Sequence, residues 1–348
     1  MEKGTSKMNA NSRYDLGVVI GKFLPPHRGH RHLIEAAVSR SERVVVIVCG
    51  KPTDPIPGEL RAAWLHEMIP AAEVMLIDDR YDENDSRIWA ENTVRWLGRA
   101  PDAVFTSEGY GDAYAAHLGC VHESVDPARV QVPCSGTAVR NDPFAMWDHI
   151  DPPVRAWYAK RVVIVGAEST GTTTLARDLA AAMGTVWVPE YGRDYSVEKQ
   201  ARGETEWRSD EFLMIAREQT RREEEAARRA NRVLVCDTNA FATHLWHRRY
   251  MGFDLPELAK ISSASRADLY LLTGDEIPFV QDGLRDGEHI RHDMHGWFVQ
   301  ELGWQSSPWL LVTGDPESRL SQAIRHIDQL LGPRHNSPRF LVTGAPAR

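Results

Sequence analysis

Two histidines three residues apart, His27 and His30, stand in GKFLPPHRGH (21–30), with Gly29 between them. Imidazolium or neutral imidazole N–H donors at a helix start stabilise charge on phosphoryl oxygens, and the helix N-terminus adds partial positive charge of its own. The segment opens on Gly21, Lys22 and Phe23, and Gly29 lets the backbone approach closely. Roughly 110 residues on, SGTAVR (135–140) supplies hydroxyls and backbone N–H groups from Ser135, Gly136 and Thr137, with Arg140 one turn further, aimed at the same anion. Two phosphate-binding segments in one domain predict a site for a triphosphate attacked at its α-phosphorus. Such transfers need positioning and charge rather than a protein nucleophile.

A second phosphate segment, GAESTGTTTLARDLA, follows RVVIV (161–165). Gly166 and Gly171 have the GxxxxG spacing of a phosphate-cradling loop. The next residues are Thr172, Thr173 and Thr174, where such loops carry Lys then Ser/Thr. The backbone cradle survives and the Thr173 hydroxyl can still reach Mg²⁺, but the ammonium that bridges the β- and γ-phosphates is missing. Lys160 and Arg161 precede the strand and lie roughly 17 Å from the loop. Arg193, Arg285 and Arg291 are the better replacements, since their segments fall at the C-terminal edge of the strands. Asp237, ending VLVCD, suits a carboxylate that orients Mg²⁺ through water. HIRHDMH (289–295) lacks a ligand set for a metal, and RREEEAARR (221–229) reads as a solvated helix face.

Two series of strands must position these segments. LGVVI (16–20), RVVVIV (43–48), VMLI (74–77) and AVFT (103–106) alternate with helical patterns such as HRHLIEAAVSR. A second series is RVVIV (161–165), TVWV (185–188), RVLVC (232–236), DLYLL (268–272) and WLLVT (309–313). Continuous apolar strands separated by helices predict two parallel sheets covered on both faces, hence an α/β chain of two domains. The break falls in MWDHIDPPVRAWYAK (146–160), giving domains at 14–156 and 157–330. The start (1–13) and the Pro-rich tail (331–348) are expected to be disordered. The connection has no Gly/Ser spacer, which predicts domains that touch.

The 348 residues carry 41 Lys+Arg against 49 Asp+Glu, a net charge of −8, which argues against a dedicated nucleic-acid partner. No apolar run approaches the ~20 residues of a membrane span, and the start has no secretory h-region. Cys49, Cys120, Cys134 and Cys236 form no CxxC pair. A soluble, cytoplasmic chain follows, with self-association left open.

The string GxFxPxHxGH with a later SGTxxR resembles the HxGH nucleotidyltransferase superfamily, so the first domain is expected to be Rossmann-like. SEGYGDAYAAHLGC…VDPARVQVPCSGTAVRNDPF…W (107–147) is similar, more narrowly, to the NadR family, which couples nicotinamide mononucleotide adenylyltransferase to a P-loop ribosylnicotinamide kinase. The resemblance implies ATP as co-substrate with Mg²⁺. It implies nicotinamide mononucleotide, ribosylnicotinamide and NAD as the other small-molecule partners. His27, His30 and Arg140 would serve adenylyl transfer. Trp89 would stack on the nicotinamide ring, with Trp96 an alternative on the same helix face, and Arg61 would lie near the substrate. Lys22 stands where many superfamily members have Arg. In the second domain, Glu190 would take the 5′-hydroxyl proton or bind the ribose, and Tyr191, Arg193, Asp282, Arg285 and Arg291 would line the substrate site. Three rivals stand beside this reading. One is a degenerate second domain kept as nucleotide sensor or scaffold; another is a fused coenzyme A adenylyltransferase/kinase. The third is a NAD-sensing transcriptional regulator, against which stand the 13 residues before the first strand, too few for a helix-turn-helix.

Overall fold

Runs of β-branched residues without a polar break become the central strands of two sheets. The computed structural model describes residues 13–332, apart from Glu83 and Leu284. Residues 44–48 are all buried, as expected of a strand covered on both faces. The division between two compact units falls after Val154.

The first unit runs β1 (Tyr14–Gly21), α1 (Arg28–Arg40), β2 (Ser41–Gly50), α2 (Gly58–Met68), β3 (Glu73–Asp78), α3 (Ser86–Leu97), β4 (Ala103–Thr106), α4 (Gly111–Leu118), β5 (Val121–Ser124) and α5 (Gly136–Asn141). Its sheet has the order β3-β2-β1-β4-β5, with all pairs parallel. Strand order reverses between β1 and β4, so the loops that leave these strands frame a crevice.

Helix α6 (Pro152–Tyr158) spans the division. The second unit continues with β6 (Lys160–Val165), α7 (Thr172–Met183), β7 (Trp187–Val188), α8 (Tyr191–Ala201), α9 (Ser209–Ala227), β8 (Val233–Asp237) and α10 (Ala240–Met251). It ends with α11 (Pro256–Ala264), β9 (Leu269–Thr273), α12 (Arg291–Leu302), β10 (Trp309–Val312) and α13 (Pro316–Leu331). The order β10-β9-β6-β8-β7, again all parallel, puts the strand that feeds the phosphate loop at the centre.

Several expectations need correction. The strand β5 has the polar sequence VHES and escapes an apolar-run search because it is an edge. The predicted strand at 185–188 pairs only through Trp187 and Val188. Arg13, assigned to a disordered start, donates its backbone N–H to the Arg40 carbonyl (2.9 Å). Leu331, assigned to the tail, is buried at the end of α13. Residues 1–12 and 333–348 lie outside the described residues. Within 221–229, Glu223, Ala226 and Ala227 are buried, so that segment is not a solvated face throughout. No helix among the described residues is long and apolar enough to cross a membrane.

Candidate active sites

The turn after β1 is held by Arg61, which is 0% exposed on α2. Its guanidinium donates to the carbonyls of Lys22, Cys49 (3.1 Å) and Ile56 (3.0 Å), and to Asp54 (2.5 Å). Arg61, expected near the substrate, is engaged instead by the protein's own carbonyls and Asp54. It does not line the cavity, because its donors are engaged in fixing the Lys22–Phe23 turn, where Phe23 sits at φ +48°.

His27 caps α1. Its Nδ1 accepts from the Gly29 N–H (3.1 Å), which leaves the proton of the neutral ring on Nε2. The His27 and His30 rings stack with centroids 3.7 Å apart, and Phe23 meets His30 edge-on at 4.9 Å. Burial pushes His27 down to about 4, with the Arg129 charge adding to the effect. Burial also takes His30 well below its ordinary value. Both rings are thus neutral near pH 7, and the free site offers N–H donors rather than imidazolium.

The downstream segment interlocks with this turn. Ser135 caps α5 by accepting from the Ala138 N–H (3.1 Å). Arg140 donates to the Leu24 carbonyl and, through Nη2, to Thr137 Oγ1 (3.1 Å). A Cβ on Gly136 would lie 2.8 Å from the Leu24 carbonyl oxygen, and one on Gly29 would lie 2.9 Å from His27 Cε1. Both positions need glycine for close approach.

Gly21, Lys22, Phe23, His27, Gly29, His30, Ser135, Gly136, Thr137 and Arg140 all wall one cavity of about 820 Å³. Trp89 joins them, its Nε1 donating to the Asp82 carbonyl (2.9 Å) and its ring edge-on to Tyr81 (5.5 Å). Trp96 lines a separate depression beside Tyr81, so Trp89 alone of the pair faces the cavity. Sequence reasoning missed Arg129, Tyr110 and Asp79 in the same wall. Arg129 holds φ +52° and donates to Glu108 (2.8 Å), and no motif spacing marks it.

In the second unit, β6 ends in a loop that demands glycine at 166: a Cβ there would lie 2.2 Å from Thr273 Oγ1 and 2.5 Å from Thr170 Oγ1. Gly171 takes φ +86°. Thr173 Oγ1 donates to Asp237 Oδ2 (2.5 Å). The other oxygen, Asp237 Oδ1, is buried without a partner. One hydroxyl and one under-satisfied carboxylate suit a hard cation that takes its remaining ligands from phosphate and water, so the residues fit Mg²⁺. Among the described residues no cluster of three or more His, Cys, Asp or Glu could hold a metal by itself.

Glu190 lies at the head of α8, where burial and then the charge of Asp237 push its carboxyl up to about 8. Burial raises Asp237 too. The cavity, about 200 Å³, is walled by Gly166, Gly171, Thr172, Thr173, Thr174, Glu190, Arg193, Asp237 and Arg285. Three expected lining residues stand elsewhere. The Tyr191 ring turns away under Arg222, 4.3 Å from its centroid, with its hydroxyl on Met214 Sδ (3.6 Å). Asp282 lies outside the lining and braces Arg193 and Arg285 (3.4 Å). Arg291 is buried, donating to the Ser169 carbonyl (3.1 Å). An aromatic wall of Trp207, Phe212, Trp246 and Tyr250 was missed, because its members come from separate segments with no shared motif.

Residues 18–142 match the cytidylyltransferase-like family and residues 161–319 the AAA domain family. Over 347 residues the chain is 28% identical to the trifunctional NAD biosynthesis/regulator protein NadR of Escherichia coli strain K12, covering 91% of this chain and 83% of that one. It is 29% identical over 345 residues to the protein of the same name from Salmonella typhimurium strain LT2, covering 91% and 84%. This chain is a NadR homologue. A crystal structure of NadR in complex with NR superposes with a TM-score of 0.77 at 21% identity, covering 94% of this chain and 98% of that one. One of NadR with NAD and AMP-PNP gives 0.74 at 22% identity, covering 92% and 97%. The two-domain α/β fold is therefore that of NadR, a nucleotidyltransferase domain followed by a P-loop domain.

Proposed function

We propose that this NadR homologue makes NAD in the cytoplasm, joining the AMP of ATP to nicotinamide mononucleotide and releasing pyrophosphate. The observation that carries the reading is the convergence of the 21–30 and 135–140 segments on the cavity that Trp89 also walls. An oxygen of the mononucleotide 5′-phosphate attacks the α-phosphorus of ATP, and the bond from that phosphorus to the bridging oxygen breaks. Neutral His27, through Nε2–H, and His30 stabilise charge on the α-phosphoryl oxygens, while Lys22, Ser135, Thr137 and Arg140 hold the phosphates. Trp89 presents its ring to the nicotinamide.

The second domain, on this reading, phosphorylates ribosylnicotinamide. Its aromatic wall suits a flat heterocycle, and the 166–174 loop cradles the donor phosphates. In its ionised form, the minority species below about 8, Glu190 accepts the 5′-hydroxyl proton as that oxygen attacks the γ-phosphorus, and the bond from that phosphorus to the β–γ bridging oxygen breaks to release the nucleoside diphosphate. Mg²⁺ held at Thr173 and Asp237 would neutralise phosphate charge. One residue favours a second reading, a domain that binds nucleotide without turning it over: Thr172 in place of the bridging lysine.

The test is product analysis of the intact chain with Mg-ATP and one acceptor per reaction. NAD formed from nicotinamide mononucleotide is the expected result; its absence, or adenylylation of phosphopantetheine in its place, overturns the first assignment. Formation of the mononucleotide from ribosylnicotinamide supports an active second domain, and its absence favours the sensor reading.

A further inference from the structure

We propose that Arg285, braced together with Arg193 on Asp282, supplies the phosphate-bridging charge that Thr172 does not. The inference rests on the kinase reading of the second domain.

Cations near the loop can be taken in turn. Residue 172 is a threonine, which carries no charge. None of the three lysines described in this unit lines the cavity. Lys160 pairs with Asp268 (2.8 Å), Lys199 is buried on Glu211 (2.6 Å), and Lys260 is exposed on α11. Arg249 is divided between Glu168 (2.7 Å) and Asp286 (2.6 Å). Arg291 and Arg319 donate to the loop carbonyls of Ser169 (3.1 Å) and Thr170 (2.5 Å), so they brace the loop without entering its cavity.

That leaves Arg193 and Arg285, the two basic residues among the described residues that wall the cavity with 166–174. Arg285 Nη1 lies 3.4 Å from Ser169 Oγ, on the loop itself. The same oxygen accepts from the Val280 N–H (2.8 Å), which ties the segment carrying Arg285 to the phosphate cradle. Asp282 accepts from Arg193 and lies 3.4 Å from Arg285 Nε, so one carboxylate holds both guanidinium groups. Of the two, Arg285 is the one that reaches the loop itself, at Ser169, whereas Arg193 is held on Asp282. A guanidinium fork can contact two phosphate oxygens at once, whereas a lysine offers one point charge. Arg285 is thus a catalytic residue here, and Asp282 a positioning residue.

The test uses the full-length chain carrying Arg285→Ala, Arg285→Lys or Thr172→Lys, and the Arg285→Ala/Thr172→Lys double variant. Phosphorylation of ribosylnicotinamide by Mg-ATP is read by mass spectrometry, and binding of trinitrophenyl-ATP by fluorescence. We expect Arg285→Ala to lower kcat about 10²–10³-fold, with Arg285→Lys falling less. Thr172→Lys recovers at least about tenfold of that loss in the double variant, because the two cations are alternatives. Asp282→Asn lowers kcat with KM for ribosylnicotinamide held. Two results overturn the proposal: Arg285→Ala with native kcat and native trinitrophenyl-ATP binding, or Thr172→Lys accelerating the native chain a hundredfold. A chain that binds trinitrophenyl-ATP through Arg285 but never phosphorylates ribosylnicotinamide, with or without Thr172→Lys, sinks the kinase reading and leaves the phosphate contact standing.

Discussion

The hydrogen bond from the Gly29 N–H to His27 Nδ1 decides which nitrogen of the first histidine carries its proton. Long-range ¹H–¹⁵N correlation spectra at pH 6 are expected to show His27 neutral and protonated on Nε2; an imidazolium pattern there would refute the assignment. Replacing His27 or His30 by Ala should cut NAD formation about 10²–10³-fold while the chain stays folded. Two buried groups also give the stability curve opposite slopes. Folded His27 stays neutral down to about 4 while its unfolded counterpart protonates near 6.5, so stability falls as pH drops through that window. Folded Glu190 stays protonated up to about 8 while the unfolded carboxyl ionises near 4.5, so its contribution is present below 4.5 and lost as pH rises to 8. Urea titrations from pH 4.5 to 8 should show Glu190→Gln flattening the loss at high pH and His27→Gln flattening the loss at low pH. Both histidines were legible from spacing alone. Their neutrality was not, because it depends on how deeply the fold buries them.

Elements fix what the motifs only suggest. Arg61 lies in a helix whose sequence reads like a substrate-side segment, yet α2 turns it inward to bond three carbonyls and Asp54. Arg61→Ala should therefore destabilise the first unit by about 3–5 kcal/mol in urea unfolding, by stranding those partners. Were Arg61 a ligand group, stability would hold and only KM would move. Gly136→Ala tests the contact between α5 and the turn after β1. With 2.8 Å from its Cβ to the Leu24 carbonyl, the two phosphate segments must separate, and kcat/KM for ATP should fall about 10–100-fold. The central strands were legible because burial on both faces writes itself as continuous Val and Ile. The strand β5 was not, since an edge needs no such run, and β7 shrinks to two paired residues. Tyr191 follows Glu190 into α8 but points the other way, as helical geometry requires of neighbours.

Each of the two units has its own sheet, its own central strand and its own cavity-lining loop after that strand. Hydrogen exchange on the intact chain should separate them. Nicotinamide mononucleotide with an unreactive ATP analogue is expected to protect 20–30 and 135–140, and ribosylnicotinamide to protect the walls around Glu190 and Trp207. Protection of 20–30 by ribosylnicotinamide alone would show that the acceptors are misassigned. The fold class and both loops were readable from the sequence, whereas the cavity walls drawn from Arg129, Trp246 and Tyr250 were not, because only folding brings such distant residues together. The pairing of Leu24 with Gly136 and Arg140 also has a consequence in time. The ribosome releases the histidine turn early, but its partner segment emerges more than a hundred residues later. If that site binds ATP as proposed, a nascent chain is blind to it until its first domain is nearly finished. On the proposed function, a message broken before codon 140 would yield a fragment with half of the site, unable to draw nucleotide out of circulation.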